Sequence, residues 1–207
     1  MNGIVLELQK EVLDETVSIE SLLRKAYLIA KKLKFKEFEE WINQEQNGYN
    51  NALPEYRYIN GEIKAWNPYH GWMPMILPKN INDIVSCISL DSSISAITDA
   101  YNSSNDGSVC LNITSTMTEF LNALIKGRPT KYAFFASKSE LYRIMSTVRN
   151  KILGWTLILE ENGILGENMT FTEKEKEVAL NTPVINNYTN NFYNSVSNID
   201  IQQGKGN

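Results

Sequence analysis

The chain has 207 residues, a formal net charge of −4 at pH 7 and a sequence pI near 5.2. An acidic balance disfavours a general nucleic-acid binder, which needs a basic surface to displace counterions, although a local basic face stays open. Cys87 and Cys110 have no C-x-x-C spacing and no nearby histidine, so neither a disulfide scaffold nor a zinc site is expected. The length suits one ordinary domain, or one domain with a tail.

The N-terminal stretch MNGIVLELQKEVLDE indicates an amphipathic helix and not a signal peptide. It lacks a basic leading region, and its acids interrupt the apolar residues. No apolar run approaches the roughly 18 residues that a membrane-spanning helix needs. We therefore expect a cytoplasmic protein with no membrane partner.

Residues 1–49 carry helical periodicity and predict an N-terminal helical unit. A first helix is expected over residues 4–14, and Ser18 is placed to cap a second. A third helix follows after almost no loop and should end at Gly48. Short connections indicate antiparallel neighbours. The inward positions of the third helix are Phe35, Phe38, Trp41 and Ile42.

Residues 50–135 predict a mixed α/β part. Residues 56–66 alternate around Asn60-Gly61, which favours a hairpin with its turn at that dipeptide. For residues 81–101 two interpretations stay open, a strand followed by a helix or two helical pieces. SVCLNI and KYAFFA each predict a short strand, and Thr116-x-x-Glu119 between them predicts a capping box that opens a helix.

Residues 137–162 predict one long helix. Ser137-x-x-Glu140 is a second capping-box pattern, apolar residues follow at steps of three and four, and Gly163 comes just past the end. A short charged helix then leads to the tail. The chain is expected to be an α+β, helix-rich single domain over residues 1–181, followed by an Asn-rich, β-prone tail over residues 182–207.

Two stretches resemble a known family, the AbiTii domain family. They are LLRKAYLIAKKLKFKEFEEWINQEQNGY with LPEYR just after it, and YAFFASKSELYRIMSTVRNKILGWTLILEENGILGE. The blocks fall within residues 1–57 and 132–167, in the family's order and spacing, and the family's members often end in Asn- and Gln-containing tails such as NSVSNIDIQQG. The resemblance implies a role in abortive infection, in which an infected bacterium halts growth before phage spreads. It supplies no active site to transfer.

No recognisable catalytic motif occurs, so the sequence favours a protein that is not an enzyme. The only histidine, His70, lies among aromatic residues without an obvious partner. Glu62-x-Lys64 has the form found in a metal-dependent nuclease core, with Glu55 as the nearby upstream acid. The alternative, which period two favours, is that both are solvent-facing residues of a hairpin. Gly-rich phosphate loops are absent, and no cofactor or metal is expected.

Two surface groups are candidate binding sites. The basic residues Arg24, Lys25, Lys31 and Lys32 form a possible patch for an anionic partner, although acids on the next helix favour a solvated, balanced face. An aromatic group in the mixed part could stack on bases, but a small satellite core is the commoner outcome. Overall, nucleic acid is not the expected partner. The members of the aromatic group are Tyr56, Tyr58, Trp66, Tyr69 and Trp72.

The tail predicts self-association. It carries only Asp200 and Lys205 as charges among many asparagines, and apolar residues alternate with amides along it. Segments of high β propensity, low charge and no proline can stack in register between copies, although a flexible extension is an equal alternative. The residues expected to mediate self-association are Phe192, Asn194, Val196, Asn198, Ile199, Ile201 and Gln203.

These observations favour an anti-phage protein of the abortive-infection type that acts by self-assembly or by binding a host or phage target. Two alternatives stay open: a metal-dependent nuclease effector, and a non-toxic regulatory partner of a neighbouring defence gene product.

Overall fold

A computed structural model describes residues 3–50, 52–104, 107–124 and 130–182. Within these ranges the expected α+β, helix-rich class is confirmed. The helices are α1 Ile4–Leu13, α2 Ile19–Leu33, α3 Lys36–Asn47, α4 Lys79–Val85, α5 Ile94–Ser103, α6 Ser115–Leu124, α7 Lys138–Glu161 and α8 Glu173–Asn181. The strands are β1 Tyr58–Asn67, β2 Gly71–Pro74, β3 Cys87–Ser89, β4 Ser108–Leu111 and β5 Tyr132–Ser137.

The N-terminal helical unit forms as predicted. The Ser18 side chain accepts a hydrogen bond from the Ser21 N–H at the start of α2, and Gly48 ends α3 with a φ of 96°. All four predicted inward residues of the third helix are buried. Helices α1, α2 and α3 pack with α7 and α5 around one apolar core. Burial of these faces supplies the main favourable free energy of folding.

The long helix α7 runs close to its predicted limits, but its capping box is only half formed. Ser137 Oγ accepts from the Ser139 N–H, as a cap should. The Glu140 carboxylate instead accepts from the Asn60 N–H of β1 and from Arg143. These tertiary contacts therefore replace the hydrogen bond from the Ser137 N–H to the Glu140 carboxylate that would complete the capping box. The result ties the first turn of α7 to the sheet.

The five strands form an antiparallel sheet in the order β2-β1-β5-β4, and β3 pairs with the N-terminal part of β1. SVCLNI and KYAFFA provide β4 and β5, as predicted. Alternate residues of the strands face the helical core, and Ile63, Phe134 and Val109 on that side are buried. Successive side chains point to opposite faces of a sheet, so the intervening residues form a second, outer face.

The hairpin turn predicted at Asn60-Gly61 is wrong. Both residues lie inside β1, and the turn to β2 comes at residues 68–70. Asn67 fixes that turn, because its side-chain oxygen accepts from the backbone N–H groups of Tyr69 and His70. Asn-Gly favours a turn locally, but the pairing of Gly61 with Ala136 keeps this dipeptide extended.

Gly61 is needed for space and not for a turn. A Cβ at this position would overlap the Phe135 carbonyl oxygen and the Phe134 ring. Gly61→Ala should therefore lower the free energy of unfolding by about 3 kcal/mol, the upper part of the range for overpacking. The reverse exchange on the same strand, Ala65→Gly, should cost only about 0.5–1 kcal/mol. Urea unfolding compares the two, and an unchanged midpoint for Gly61→Ala would contradict the close packing.

Two local predictions need correction between β2 and β5. Residues 81–101 contain the end of α4, strand β3 and most of α5, so neither simple alternative holds in full. Helix α6 is capped by Thr114, whose Oγ1 accepts from the Met117 N–H, and not by Thr116, which lies inside the helix. Thr114 lies two residues before Thr116 and has the same hydroxyl group to cap the helix. The motif alone therefore predicts the start of α6 too late.

The longest described helix is α7. Neither it nor any other helix of the described ranges combines the length and hydropathy that a membrane crossing requires.

Candidate functional site

A buried ionic network lies where α3 meets the start of β1. Glu45 on α3 and Arg57 are both 0% exposed, and Arg57 Nη2 lies 2.5 Å from Glu45 Oε2. The hydroxyls of Tyr49 and Tyr56 each donate to Glu45 Oε1, at 2.5 and 2.6 Å. One carboxylate thus accepts from three side chains, which is what burial of a charge requires.

The other polar groups of the network are also satisfied. Arg57 Nη1 donates to the carbonyl oxygen of Ser92 at 2.8 Å and, more weakly, to that of Leu90 at 3.4 Å. Trp41 Nε1 donates to the Tyr56 hydroxyl at 2.9 Å. The network therefore joins α3, the segment before β1 and the segment before α5.

Electrostatics keep the network in one protonation state. Burial raises the pKa of the Tyr49 and Tyr56 hydroxyls, and the neighbouring Glu45 charge raises it further. Burial is the largest influence on the pKa of Arg57 and would lower it, but the charge and hydrogen bond of Glu45, together with Tyr49 and Tyr56, outweigh burial and the pKa rises. Burial lowers the pKa of Lys151, whose Nζ lies 5.4 Å from the centre of the Tyr56 ring. The tyrosines stay neutral and the arginine charged.

This network is architectural. Glu45 and Arg57 have no exposed surface through which a substrate could reach them. Glu45, Tyr49, Tyr56 and Arg57 also lie within QEQNGY and LPEYR, part of the first block that carries the family resemblance. The polar residues of that block that form the network therefore stabilise the fold and are not accessible to a ligand.

The predicted basic patch lies on α2, with most of its charges already contacted by oxygens. Lys25 Nζ is 2.5 Å from Glu11, Lys31 Nζ is 2.8 Å from Glu39, and Lys32 Nζ donates to the Met169 carbonyl oxygen. Arg24 is exposed on the same helix. Binding of an anionic partner by these four residues stays a prediction.

The residues weighed for catalysis do not converge in the described part of the chain. His70 is exposed in the turn between β1 and β2. Lys64 Nζ pairs with Glu62 at 3.0 Å. Within residues 3–50, 52–104, 107–124 and 130–182, no three His, Cys, Asp or Glu side chains are grouped so that they could hold a metal ion.

The structure divides the predicted aromatic group. Tyr56 belongs to the buried network, Tyr58 begins β1, and Tyr69 at the turn is 91% exposed. Trp66 and Trp72 alone come together, with ring centroids 5.3 Å apart at an interplanar angle of 74°.

Phe135 on β5 joins this pair and was not anticipated. Its ring centroid lies 5.6 Å from that of Trp72, at 62°. KYAFFA is apolar throughout, which conceals which residues face outward. The period of two is the available signal: if Phe134 faces the core, Phe135 has to face the other side.

These rings belong to one surface, which we name the outer sheet face. Trp66 lies opposite Trp72 across β1 and β2, and Glu62 lies opposite Phe135 across β1 and β5. The Trp66 N–H donates to the Lys131 carbonyl oxygen at 2.8 Å, which places Lys131 across from Trp66. The outer sheet face consists of Glu62, Lys64, Trp66, Trp72, Lys131 and Phe135.

Charge and aromatic rings are interleaved on the outer sheet face. Lys64 Nζ lies 4.5 Å from the centre of the Phe135 ring, a cation–π distance. Lys131 is exposed and has no carboxylate within ion-pair distance among the described residues. Trp66 is 42% exposed, although tryptophan is highly buried on average. The surface can therefore stack flat groups and pair with anions.

Two open clefts elsewhere have polar groups that the fold itself uses. One, of about 530 Å³, lies between the end of α7 and α8, where Glu175 accepts from the N–H groups of Leu165, Gly166 and Thr172. The other, of about 230 Å³, lies beside the α1–α2 connection. Its Arg149 donates to carbonyl oxygens of that connection.

The family model named AbiTii matches residues 3–184. No curated protein and no solved structure matches the chain. No residue role can therefore be carried over from a relative, and the assignment of a site rests on the geometry above.

Proposed function

The chain belongs to the AbiTii family, which indicates abortive-infection defence against phage, and on that premise we propose that it acts by binding a host or phage target through the outer sheet face. The observation that carries the proposal is the cluster of the exposed Trp66 with the half-buried Trp72 and Phe135 on paired strands, with Lys64 and Lys131 beside them. Exposed aromatic surface that the fold does not bury is characteristic of interaction sites.

The contacts of three arginines outside the outer sheet face support its choice as the binding surface. Arg57, Arg143 and Arg149 all donate to backbone carbonyl oxygens of their own chain. Their contacts hold the sheet and the α1–α2 connection against the rest of the fold. The lysines of the outer sheet face do not have this structural task.

The test is phage plating on bacteria that express the protein. The double variant Trp66→Ala, Trp72→Ala should lose most of its protection, because the stacking surface is removed while the inner sheet face keeps its core residues. The matched control is Tyr142→Ala, which removes an aromatic side chain of similar exposure (51%) from α7. Full protection by the double variant at wild-type abundance would refute the proposal.

The same assay separates binding from the nuclease alternative. A metal-dependent nuclease built on Glu62-x-Lys64 would lose activity on Glu62→Ala. If the protein acts only by binding, the Glu62→Ala variant should keep its protection, because Glu62 supplies neither a ring nor a positive charge. Loss of protection in a folded Glu62→Ala variant would favour the nuclease.

Self-assembly through the C-terminal tail is a second proposed route. The seven residues predicted to mediate self-association, which fall between Phe192 and Gln203, lie outside the described residues, so the support is the tail's low charge and asparagine content. Light scattering after gel filtration should give an oligomer for the intact chain and a monomer for a chain that ends at Asn181. Equal masses for the two chains would remove the tail as the assembly element.

A further inference from the structure

We infer that the ligand of the outer sheet face is single-stranded nucleic acid. This inference rests on the proposed function, because it names the target class of the same surface. The whole-chain charge of −4 argues against a general nucleic-acid binder, but that number averages over a surface on which charge is unevenly placed.

Stacking is the first argument. Trp66 meets Trp72, and Trp72 meets Phe135, in edge-to-face pairs with centroids 5.3 and 5.6 Å apart. In such a pair one ring presents only its edge to the neighbour, so its faces are not both used. In single-strand binders, aromatic rings stack on unpaired bases, and the stacking tolerates any base because every base has a flat face. Bases in a duplex are stacked on each other and cannot do this.

The position of the lysines is the second argument. Lys131 lies across from Trp66 and has no carboxylate partner among the described residues, so its ammonium is available to a phosphate. Lys64 Nζ lies 4.5 Å from the centre of the Phe135 ring and 3.0 Å from the Glu62 carboxylate, so its charge is already paired and Lys131 supplies the uncompensated positive charge of the face. The cores of protein–protein interfaces are depleted in lysine, whereas single-strand binders combine cations with aromatic rings. The mixture on this face therefore favours nucleic acid over a protein.

The test is fluorescence anisotropy with labelled oligo-dT and oligo-U of about 12 nucleotides, within the usual site size of such surfaces, using the full chain. Wild type should bind both single strands and bind a duplex of equal length more weakly. For each tenfold rise in salt concentration, the logarithm of its association constant should fall by about 0.7 per phosphate contact. Trp66→Ala and Trp72→Ala should each reduce affinity about tenfold or more.

Two variants that change only charge test the inference without altering the packing of the aromatic rings. Lys131→Glu should weaken binding, and it should reduce the slope of the salt dependence by the amount that corresponds to about one phosphate contact. Lys10→Glu, an exposed change on α1, should leave both unchanged, as should Tyr142→Ala. Urea unfolding of each variant shows whether it is folded, and Lys131→Glu removes no ring contact.

Equal binding by wild type, Trp66→Ala and Lys131→Glu would overturn the inference, as would absence of saturable binding to any single strand at about 100 μM protein, the weak end of non-specific affinity. If the double tryptophan variant loses protection while wild type fails to bind oligonucleotides, the target is a protein: the inference is wrong and the proposed function stands. If the double variant keeps protection, the proposed function itself is wrong.

Discussion

Arg57→Ala should lower the free energy of unfolding by about 3–5 kcal/mol, because it leaves the Glu45 carboxylate buried without its cation. Glu45 is fully enclosed and lies 2.5 Å from the Arg57 guanidinium. The substitution also removes the donor to the Ser92 carbonyl oxygen, one of the hydrogen bonds that hold the segment before α5 against the buried network. A loss of this size is a large share of the stability of a typical domain.

Paired controls separate charge burial from packing. The double variant Glu45→Gln, Arg57→Met should cost less than Arg57→Ala, because no unpaired charge remains. Lys176→Ala breaks an exposed pair with Glu173, at 2.7 Å, and should cost much less than Arg57→Ala, because water screens the two charges. Urea unfolding measures all three. Equal midpoints for Arg57→Ala and Lys176→Ala would show that the buried pair does not hold the fold.

Trp155→Ala should have an effect of similar size, about 3–5 kcal/mol, because it empties the centre of the core. The Trp155 ring is fully buried on α7, with its centroid 4.0 Å from that of Phe38 and 6.2 Å from that of Phe35. It therefore joins the long helix to the N-terminal helical unit.

The indole nitrogens give a finer comparison. Trp155 Nε1 is buried and has no hydrogen-bond acceptor among the described residues, whereas Trp41 Nε1 donates to the Tyr56 hydroxyl. Trp155→Phe should therefore cost less than Trp41→Phe, since only the latter breaks a hydrogen bond. Chemical unfolding of both variants is the measurement, and the reverse order would indicate an acceptor for Trp155.

The helices could be predicted from sequence because their signals are local. Helix α7 shows its apolar spacing and its Ser137 cap within one window, and Gly48 marks the end of α3 in the same way. The turn at Asn60-Gly61 failed for the opposite reason. Its favourable turn chemistry is local, but the strand that overrides it, β5, lies more than seventy residues further along the chain.

The buried network escaped prediction because burial of a charge is a tertiary property. Glu45 follows three acids on α3, of which Glu37 and Glu40 are exposed, and in the sequence it resembles one more solvated charge. Its partner Arg57 is twelve residues away, beyond Gly48 and across a change of structure. Only the fold shows that the two meet at 2.5 Å.

The outer sheet face could be predicted in part. Trp66 and Trp72 belonged to the aromatic group that the sequence suggested for stacking, and they do lie together. Phe135 and Lys131 could not be added, because the strand pairing that brings β5 beside β1 is not encoded in any short motif. Tyr56 was misplaced in that group, since its hydroxyl serves the buried carboxylate.

Site-specific photo-cross-linking in infected cells tests most directly whether the outer sheet face contacts a target. A benzophenone amino acid at the position of Glu62, which is 54% exposed on that face, places the probe without removing a ring or a lysine. The same probe at the position of Tyr142 on α7 is the control. The proposed function predicts a discrete, light-dependent adduct from position 62 alone, and the nucleic-acid inference predicts that nuclease treatment shortens it. No adduct from position 62, or equal adducts from both positions, would contradict the assignment of the outer sheet face as the binding surface.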